Sequence, residues 1–159
     1  MILVLLGTQN NSFHRLLEEI QRNIENNNIT EEVVVQKGYT KFESENMTLY
    51  SQLPAEEIEK LTEKADLIIT HGGVGSIITS IQKGKKVIAV PRLKKYKEHV
   101  NDHQLDIIKS FSDSGHIIGL SSVEELGESL KKVKDFEPKQ YMKNTGNILQ
   151  IVEKFIENN

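Results

Sequence analysis

Residues 66–76 read DLIITHGGVGS, an apolar run that leads directly into a glycine-rich turn. The run Asp66–Thr70 is continuous rather than alternating, which is typical of a strand buried on both faces of a parallel sheet. Ser76–Lys83 then has the pattern of a helix, and Gly84 is placed to cap its C-terminus. The stretch therefore predicts a strand, a tight turn and a helix in immediate succession.

Short apolar runs alternate with amphipathic stretches over the rest of the chain as well. The other predicted strands are Ile2–Leu6, Val33–Val35, the weaker Met47–Tyr50, Val87–Val90 and Ile117–Ile118. The other predicted helices are one that carries Phe13 to Ile24 after an N-cap at Ser12, then Pro54–Lys64, Val100–Phe111, Val123–Val133 and Ile148–Ile156. This alternation predicts an α/β fold, a doubly wound parallel sheet that forms a single Rossmann-like domain over residues 1–159.

The composition excludes several classes of function. The chain has 159 residues, no cysteine and a net charge of -3, so neither a thiolate site nor a nucleic-acid partner is expected. Histidines and carboxylates at metal-binding spacing are absent from the sequence, so neither a metal nor another cofactor is predicted. No segment reaches the roughly 20 apolar residues that cross a bilayer, which predicts a cytoplasmic protein.

The predicted ligand site lies at the carboxyl ends of the strands, where such sheets bind ligands. In the glycine turn, Gly72, Gly73 and Gly75 would let a ligand approach the backbone, and the next helix would offer free N–H groups to an anion. Ser76 adds a hydroxyl donor, and His71 a donor that becomes cationic beside phosphate. The alternative interpretation is a tight strand-to-helix turn without a ligand.

Two further strand ends carry candidate binding residues. Gly7, Thr8 and Gln9 follow the first strand, whereas Arg92 follows Val87–Val90 and Pro91. A lysine-rich loop comes next and leads to His103-Gln104. A neutral amide such as that of Gln104 suits sugar hydroxyls. The alternatives here are a solvated loop and an ordinary helix start capped by Asn101 or Asp102.

Taken together, these segments resemble the C-terminal, donor-binding domain of family 28 glycosyltransferases. The resemblance rests on residues 6–9 and 13–16, on 65–77, on 84–92 and on 98–104. It implies a domain equivalent to the C-terminal half of a GT-B glycosyltransferase. The half-length members fit best, which are bacterial exopolysaccharide and capsule proteins and the catalytic subunit of the dolichol-linked UDP-N-acetylglucosamine transferase.

The resemblance also implies a role for each candidate residue, in a site that binds a UDP-sugar donor. Gly7, Thr8 and Gln9 would face the diphosphate, and Gln52 and Leu53 the uracil. The residues implied to hold the diphosphate are His71, Gly73, Gly75 and Ser76, with Gly72 and Arg92 beside them. His103 and Gln104 would contact the sugar. Thr79 stands where many relatives carry a glutamate that binds the ribose, so ribose must be bound differently here.

Residue 1 already begins the first strand of the implied donor domain. The resemblance therefore implies that a separate, membrane-associated subunit binds the lipid-linked saccharide acceptor and supplies the general base. His71 would stabilise the leaving UDP, and the pair would work at the cytoplasmic face of the membrane; alone, the chain could form a homodimer. The alternatives are a non-catalytic UDP- or anion-binding module and a scaffold subunit. A nucleotide-sugar 2-epimerase would need both domains in one chain.

Overall fold

The computed structural model describes residues 1–140, in which six parallel strands form one sheet. The strands are β1 Ile2–Leu5, β2 Val33–Gln36, β3 Thr48–Tyr50, β4 Leu67–His71, β5 Lys86–Val90 and β6 Ile118–Gly119. Their order in the sheet is β3-β2-β1-β4-β5-β6, and each neighbouring pair is parallel. The predicted α/β class and doubly wound parallel sheet are confirmed.

Within residues 1–140, five α-helices connect and cover these strands. They are α1 His14–Glu25, α2 Ala55–Lys64, α3 Val74–Gln82, α4 His103–Asp113 and α5 Leu126–Lys132. Short 3-10 turns at Lys94–Tyr96 and Val123–Glu125 precede the last two helices. Among residues 1–140 no helix is both long and apolar enough to cross a membrane.

The sheet is buried on both faces, and its central strand shows why the apolar runs are continuous. In β1, Ile2 and Val4 belong to the core under α1 and α5, whereas Leu3 and Leu5 belong to the core under α3 and α4. Successive side chains of a strand point to opposite faces, so a strand with helices on both sides needs an apolar residue at every position.

The strand order creates a switch point between β1 and β4. The chain runs outward from β1 through β2 to β3 and then returns to place β4 on the other side of β1. The connections that leave the carboxyl ends of β1 and β4 therefore diverge, and a crevice opens between them. The turns at Gly7 and at Gly72–Gly73 flank this crevice.

The helix starts are where the sequence prediction was least accurate. Ser12 does not cap α1, which begins at His14 with Phe13 in the N-cap position. Helix α3 begins two residues before Ser76. Helix α4 begins at His103 rather than Val100, and its first N–H donates to the Asn101 carboxamide at 3.0 Å.

At the other helix ends the predictions fared better. Gly84 has a φ of +70° directly after the last turn of α3, which confirms its role as a C-terminal cap. Helix α2 begins at Ala55, one residue after the predicted start at Pro54, which occupies the N-cap position instead. The helix predicted at Ile148–Ile156 lies outside the described residues.

Candidate functional site

A cleft of about 840 Å³ opens at the carboxyl ends of β1 and β2, between α2 and α3. Its volume is within the range of about 300–1,000 Å³ that is typical of small-molecule sites. The candidate residues from the sequence that line it are Thr8, Leu53, Gly75, Ser76 and Thr79. Together with Gln36 at the end of β2, they bring four separate segments of the chain into one cavity beside the switch point.

The N-terminus of α3 faces this cleft and offers free backbone donors. The first hydrogen bond of the helix runs from Ile77 N to Gly73 O at 3.2 Å. The amides of Val74, Gly75 and Ser76 therefore have no acceptor within the helix, and the positive end of the helix dipole adds to their attraction for an anion. Gly75 is exposed, and a Cβ at this position would meet no atom within 4 Å.

The other glycines of the turn are required by internal packing. A Cβ on Gly73 would lie 2.3 Å from Cε1 of His71, and one on Gly7 would lie 2.6 Å from Nε2 of the same ring. A Cβ on Gly72 would lie 2.7 Å from the Gln104 Cβ. The prediction that a ligand approaches the backbone stays open at Gly75, where the space is free, whereas Gly7 and Gly73 form the slot that holds the His71 ring.

His71 is neutral in this chain at pH 7. Burial, together with the nearby Arg92 guanidinium, lowers its pKa from 6.5 to about 3. The expectation that this side chain becomes cationic beside a bound phosphate stays a prediction, and it starts from the neutral ring. The imidazole can still donate one hydrogen bond, because a neutral ring carries a proton on one of its nitrogens.

Gln104 does not present its amide to the cleft. The side chain is buried, its oxygen accepts from Gly72 N and Arg92 N at 3.0 Å each, and its nitrogen lies 3.2 Å from His71 Nδ1. All of its polar atoms are therefore engaged within the protein. The expected contact with sugar hydroxyls is not available in this geometry, because Gln104 instead ties the ends of β4 and β5 to α4.

Arg92 is likewise internal rather than a substrate ligand. Its side chain is only 1% exposed and donates to the backbone oxygens of Leu6, Asn11 and Glu98. Burial lowers its pKa to about 10, so it remains a cation at pH 7. The guanidinium thus joins the end of β1 to the two loops beside it, which contradicts its assignment to the binding surface.

The remaining candidate side chains are not part of the lining of the cleft. The Gln9 amide is 2.9 Å from His99 Nε2, and His103 is partly exposed at the start of α4. Gln52 is exposed, next to the lining residue Leu53. None of these three side chains therefore lines the cleft beside Gly75 and Ser76.

Sequence reasoning missed two polar side chains at this edge of the sheet. Gln36 ends β2 and lines the cleft, and the signal for it was a polar residue at the end of an otherwise apolar strand. Glu98 is buried within the lysine-rich loop and accepts two hydrogen bonds from Arg15, each of 2.8 Å. A single carboxylate among lysines gave no local indication of burial.

No cluster of metal-binding side chains occurs within the described residues 1–140. What the cleft offers an anionic ligand is a set of hydrogen-bond donors, namely the α3 amides and the Ser76 hydroxyl.

Comparison with known protein families identifies the domain. The model of the glycosyltransferase family 28 C-terminal domain matches residues 1–158. The chain belongs to this family.

The family 28 domain is similar in sequence to one subunit type from several eukaryotes. The UDP-N-acetylglucosamine transferase subunit ALG13 of Homo sapiens is 33% identical over 76 residues, which cover 48% of this chain and 6% of the human protein. The subunit of the same name from Candida glabrata is 33% identical over 70 residues, 43% of this chain and 33% of that protein. The match thus spans a third or less of either relative.

Solved structures share the fold of this family 28 domain. The NMR solution structure of ALG13 superposes with a TM-score of 0.61 at 15% identity, covering 95% of this chain and 93% of that one. The crystal structure of Acinetobacter baumannii MurG gives a TM-score of 0.53 at 19% identity and covers 98% of this chain and 49% of that one. Both comparisons support the Rossmann-like fold of a GT-B glycosyltransferase domain.

Thr79 is the residue at which ribose binding was expected to differ from that in relatives with a glutamate. Its hydroxyl donates to Gly75 O at 2.8 Å, and the residue is exposed on the cleft-facing side of α3. A hydroxyl that already donates within the helix can only accept from a ligand, through a single oxygen, whereas a carboxylate has two oxygens that can accept from two neighbouring hydroxyls.

Proposed function

We propose that this chain is the UDP-sugar-binding, catalytic subunit of a two-component inverting glycosyltransferase. The observation that carries the proposal is the 840 Å³ cleft with the free amides of α3 at its edge, in a domain of glycosyltransferase family 28. An uncapped helix N-terminus suits a diphosphate, and a crevice at the switch point suits the nucleoside attached to it.

In this proposal the donor is bound along the cleft from uracil to phosphate. The uracil lies beside Leu53 with Gln52 at the rim, and the ribose lies along α3 at Thr79. The diphosphate is held by the amides of Gly75 and Ser76. Thr8, which lines the cleft after β1, forms the opposite side of the diphosphate site, with Gly7 and Gln9 on either side of it in the chain.

The residues proposed to contact the sugar of the donor differ from those predicted from the sequence. His103 is partly exposed and remains the candidate for contact with the hexose. Gln104 acts beneath the site, because its amide is engaged by Gly72, Arg92 and His71. The hexose itself is galactose, glucose or N-acetylglucosamine.

The chemistry proposed for this chain is stabilisation of the leaving UDP. Negative charge grows on the diphosphate as the glycosidic bond breaks, and donors fixed in advance by the fold stabilise that charge without reorganising. The α3 amides and the His71 ring are such donors. Among the described residues that line the cleft, the one carboxylate, Glu59, pairs with Lys83 at 3.4 Å, so we assign the general base to the partner.

The partner in this proposal is a membrane-associated subunit that binds a lipid-linked saccharide. Support comes from ALG13, which is described as a subunit of a UDP-N-acetylglucosamine transferase. The complex would act at the cytoplasmic face of the membrane in exopolysaccharide or capsule synthesis. Transfer of hexose to a lipid-linked acceptor by the purified chain alone would rule out the division of labour between two subunits.

Titration calorimetry with UDP tests the site itself. Gly75→Val should preserve the fold, because a Cβ there meets no protein atom within 4 Å, yet it narrows the approach to the α3 amides. We expect the affinity for UDP to fall at least about tenfold, equivalent to roughly 1.4 kcal/mol.

Gly75→Ala serves as the graded control and should weaken UDP binding less. Unchanged UDP affinity in a folded Gly75→Val variant would place the nucleotide outside this cleft. UDP binding without any turnover in the presence of the partner would favour the non-catalytic module instead.

A further inference from the structure

The carboxamide of Gln104 has a determined orientation. Its oxygen lies 3.0 Å from Gly72 N and 3.0 Å from Arg92 N, and both of those atoms are backbone N–H donors. Rotating the amide by half a turn would set its NH₂ group against these two donors and leave both of them buried without an acceptor. The two contacts therefore require the oxygen on that side and the nitrogen on the other.

The nitrogen of this amide then decides the tautomer of His71. It lies 3.2 Å from Nδ1 of the ring, and an amide NH₂ group can only donate. Nδ1 must accept, so it carries a lone pair, and the single proton of the neutral ring is on Nε2.

The slot around the ring aims that proton at the switch point. Nε2 lies next to the Gly7 and Gly73 backbones, at 2.6 and 2.8 Å from the positions that a Cβ would take there. Gly73 is also the N-cap residue of α3. Within residues 1–140 Nε2 has no hydrogen-bond partner, although His71 is only 6% exposed.

We propose that Gln104 is a positioning residue, which holds His71 in the Nε2–H tautomer and so supplies a neutral donor beside the free amides of α3. The opposite tautomer would turn a lone pair toward any anion bound there and would repel it. The tautomer itself follows from the contacts of Gln104, whereas its effect on UDP-sugar binding rests on the proposed function.

Nitrogen NMR of the imidazole rings tests the tautomer without any ligand. The chain contains five histidines, and a His71→Gln variant identifies the signals of His71 by their loss. In the wild-type chain at pH 7 we expect a protonated Nε2 and an unprotonated Nδ1. A protonated Nδ1 would overturn the proposal.

Gln104→Glu then tests whether Gln104 is the cause. A carboxylate keeps acceptors for Gly72 N and Arg92 N but replaces the donor that faces Nδ1 with an acceptor, so Nδ1 should become protonated. Gln140→Glu makes the same change of charge at an exposed position and should leave the ring signals unaltered. An unchanged His71 tautomer in Gln104→Glu would also overturn the proposal.

Calorimetry with a UDP-hexose measures the consequence for binding. Losing one hydrogen bond to a charged phosphate oxygen should weaken the Gln104→Glu variant by roughly 10- to 150-fold relative to Gln140→Glu. If the tautomer changes as expected while UDP-hexose affinity does not, the positioning role stands and the proposed diphosphate site fails. The two ideas are thereby tested separately.

Discussion

Two glycines of one turn should respond in opposite ways to the same substitution. Gly73→Ala would place a Cβ 2.3 Å from Cε1 and 2.8 Å from Nε2 of His71. Carbon atoms in contact are normally about 3.5–4.0 Å apart, so the ring or the turn must shift by more than 1 Å. The backbone of Gly73, with φ -73° and ψ 129°, suits alanine, so the cost comes from the clash alone.

The ring cannot move aside without losing other contacts. Its other side is closed by Gly7, and its Nδ1 is held by Gln104 at 3.2 Å. Overpacking of this kind costs about 1–3 kcal/mol. Gly75→Ala meets no atom within 4 Å and replaces a glycine inside α3, which should stabilise the helix by about 0.5–1 kcal/mol.

The difference between the two variants should therefore be about 1.5–4 kcal/mol in the free energy of unfolding. Urea denaturation followed by circular dichroism measures it, and thermal unfolding should separate the two midpoints by roughly 3–16 °C. Equal stability of the two alanine variants would show that Gly73 does not confine the His71 ring.

Two further predictions concern buried ionisable side chains near the site. The unfolded chain protonates His71 below about pH 6.5, whereas the folded chain, in which its pKa is about 3, does not, so the free energy of unfolding should fall as the pH is lowered through this window. Urea titrations at several pH values should show that the free energy of unfolding depends less steeply on pH in His71→Gln than in the wild-type chain, by up to about 1.4 kcal/mol per pH unit. Parallel pH dependences in the two proteins would contradict the burial of a neutral ring. Glu98→Ala removes a buried carboxylate that accepts two hydrogen bonds from Arg15 and one from Leu93 N, and it should cost about 3 kcal/mol. As a control, Asp113→Ala breaks the exposed ion pair with Lys109 and should leave the urea midpoint unchanged. Similar losses of unfolding free energy in the two variants would refute the importance of the buried carboxylate.

The architecture could be predicted from the sequence because its cause is local. A parallel strand covered on both faces needs apolar residues at consecutive positions, and the runs in β1, β2, β4 and β5 have this pattern. Gly84 is similar, since a helix that ends in a left-handed residue favours glycine at that position. The start of α1 was not evident from the sequence, because the Phe13 N–H donates to the Thr40 hydroxyl, 27 residues away. At the start of α4 the His103 N–H donates to Asn101, one of the two caps considered as alternatives.

The position of the candidate site in the fold could also be predicted from the sequence. Parallel strands end at one edge of the sheet, so the polar residues after β1 and β4 had to lie near one another, and the resemblance to family 28 supplied the kind of ligand. The open position of Gly75 and the free N-terminus of α3 agree with that interpretation.

The roles of the buried polar side chains were decided by tertiary structure alone. Arg92 donates to a backbone oxygen 86 residues away, and the Gln104 oxygen accepts from an N–H 32 residues away. Nothing in the residues around Arg92 or Gln104 distinguishes a side chain that reaches a ligand from one that satisfies the backbone beneath it. That distinction depends on which buried N–H and C=O groups lack a partner, and only the packed sheet with its loops determines where those groups are.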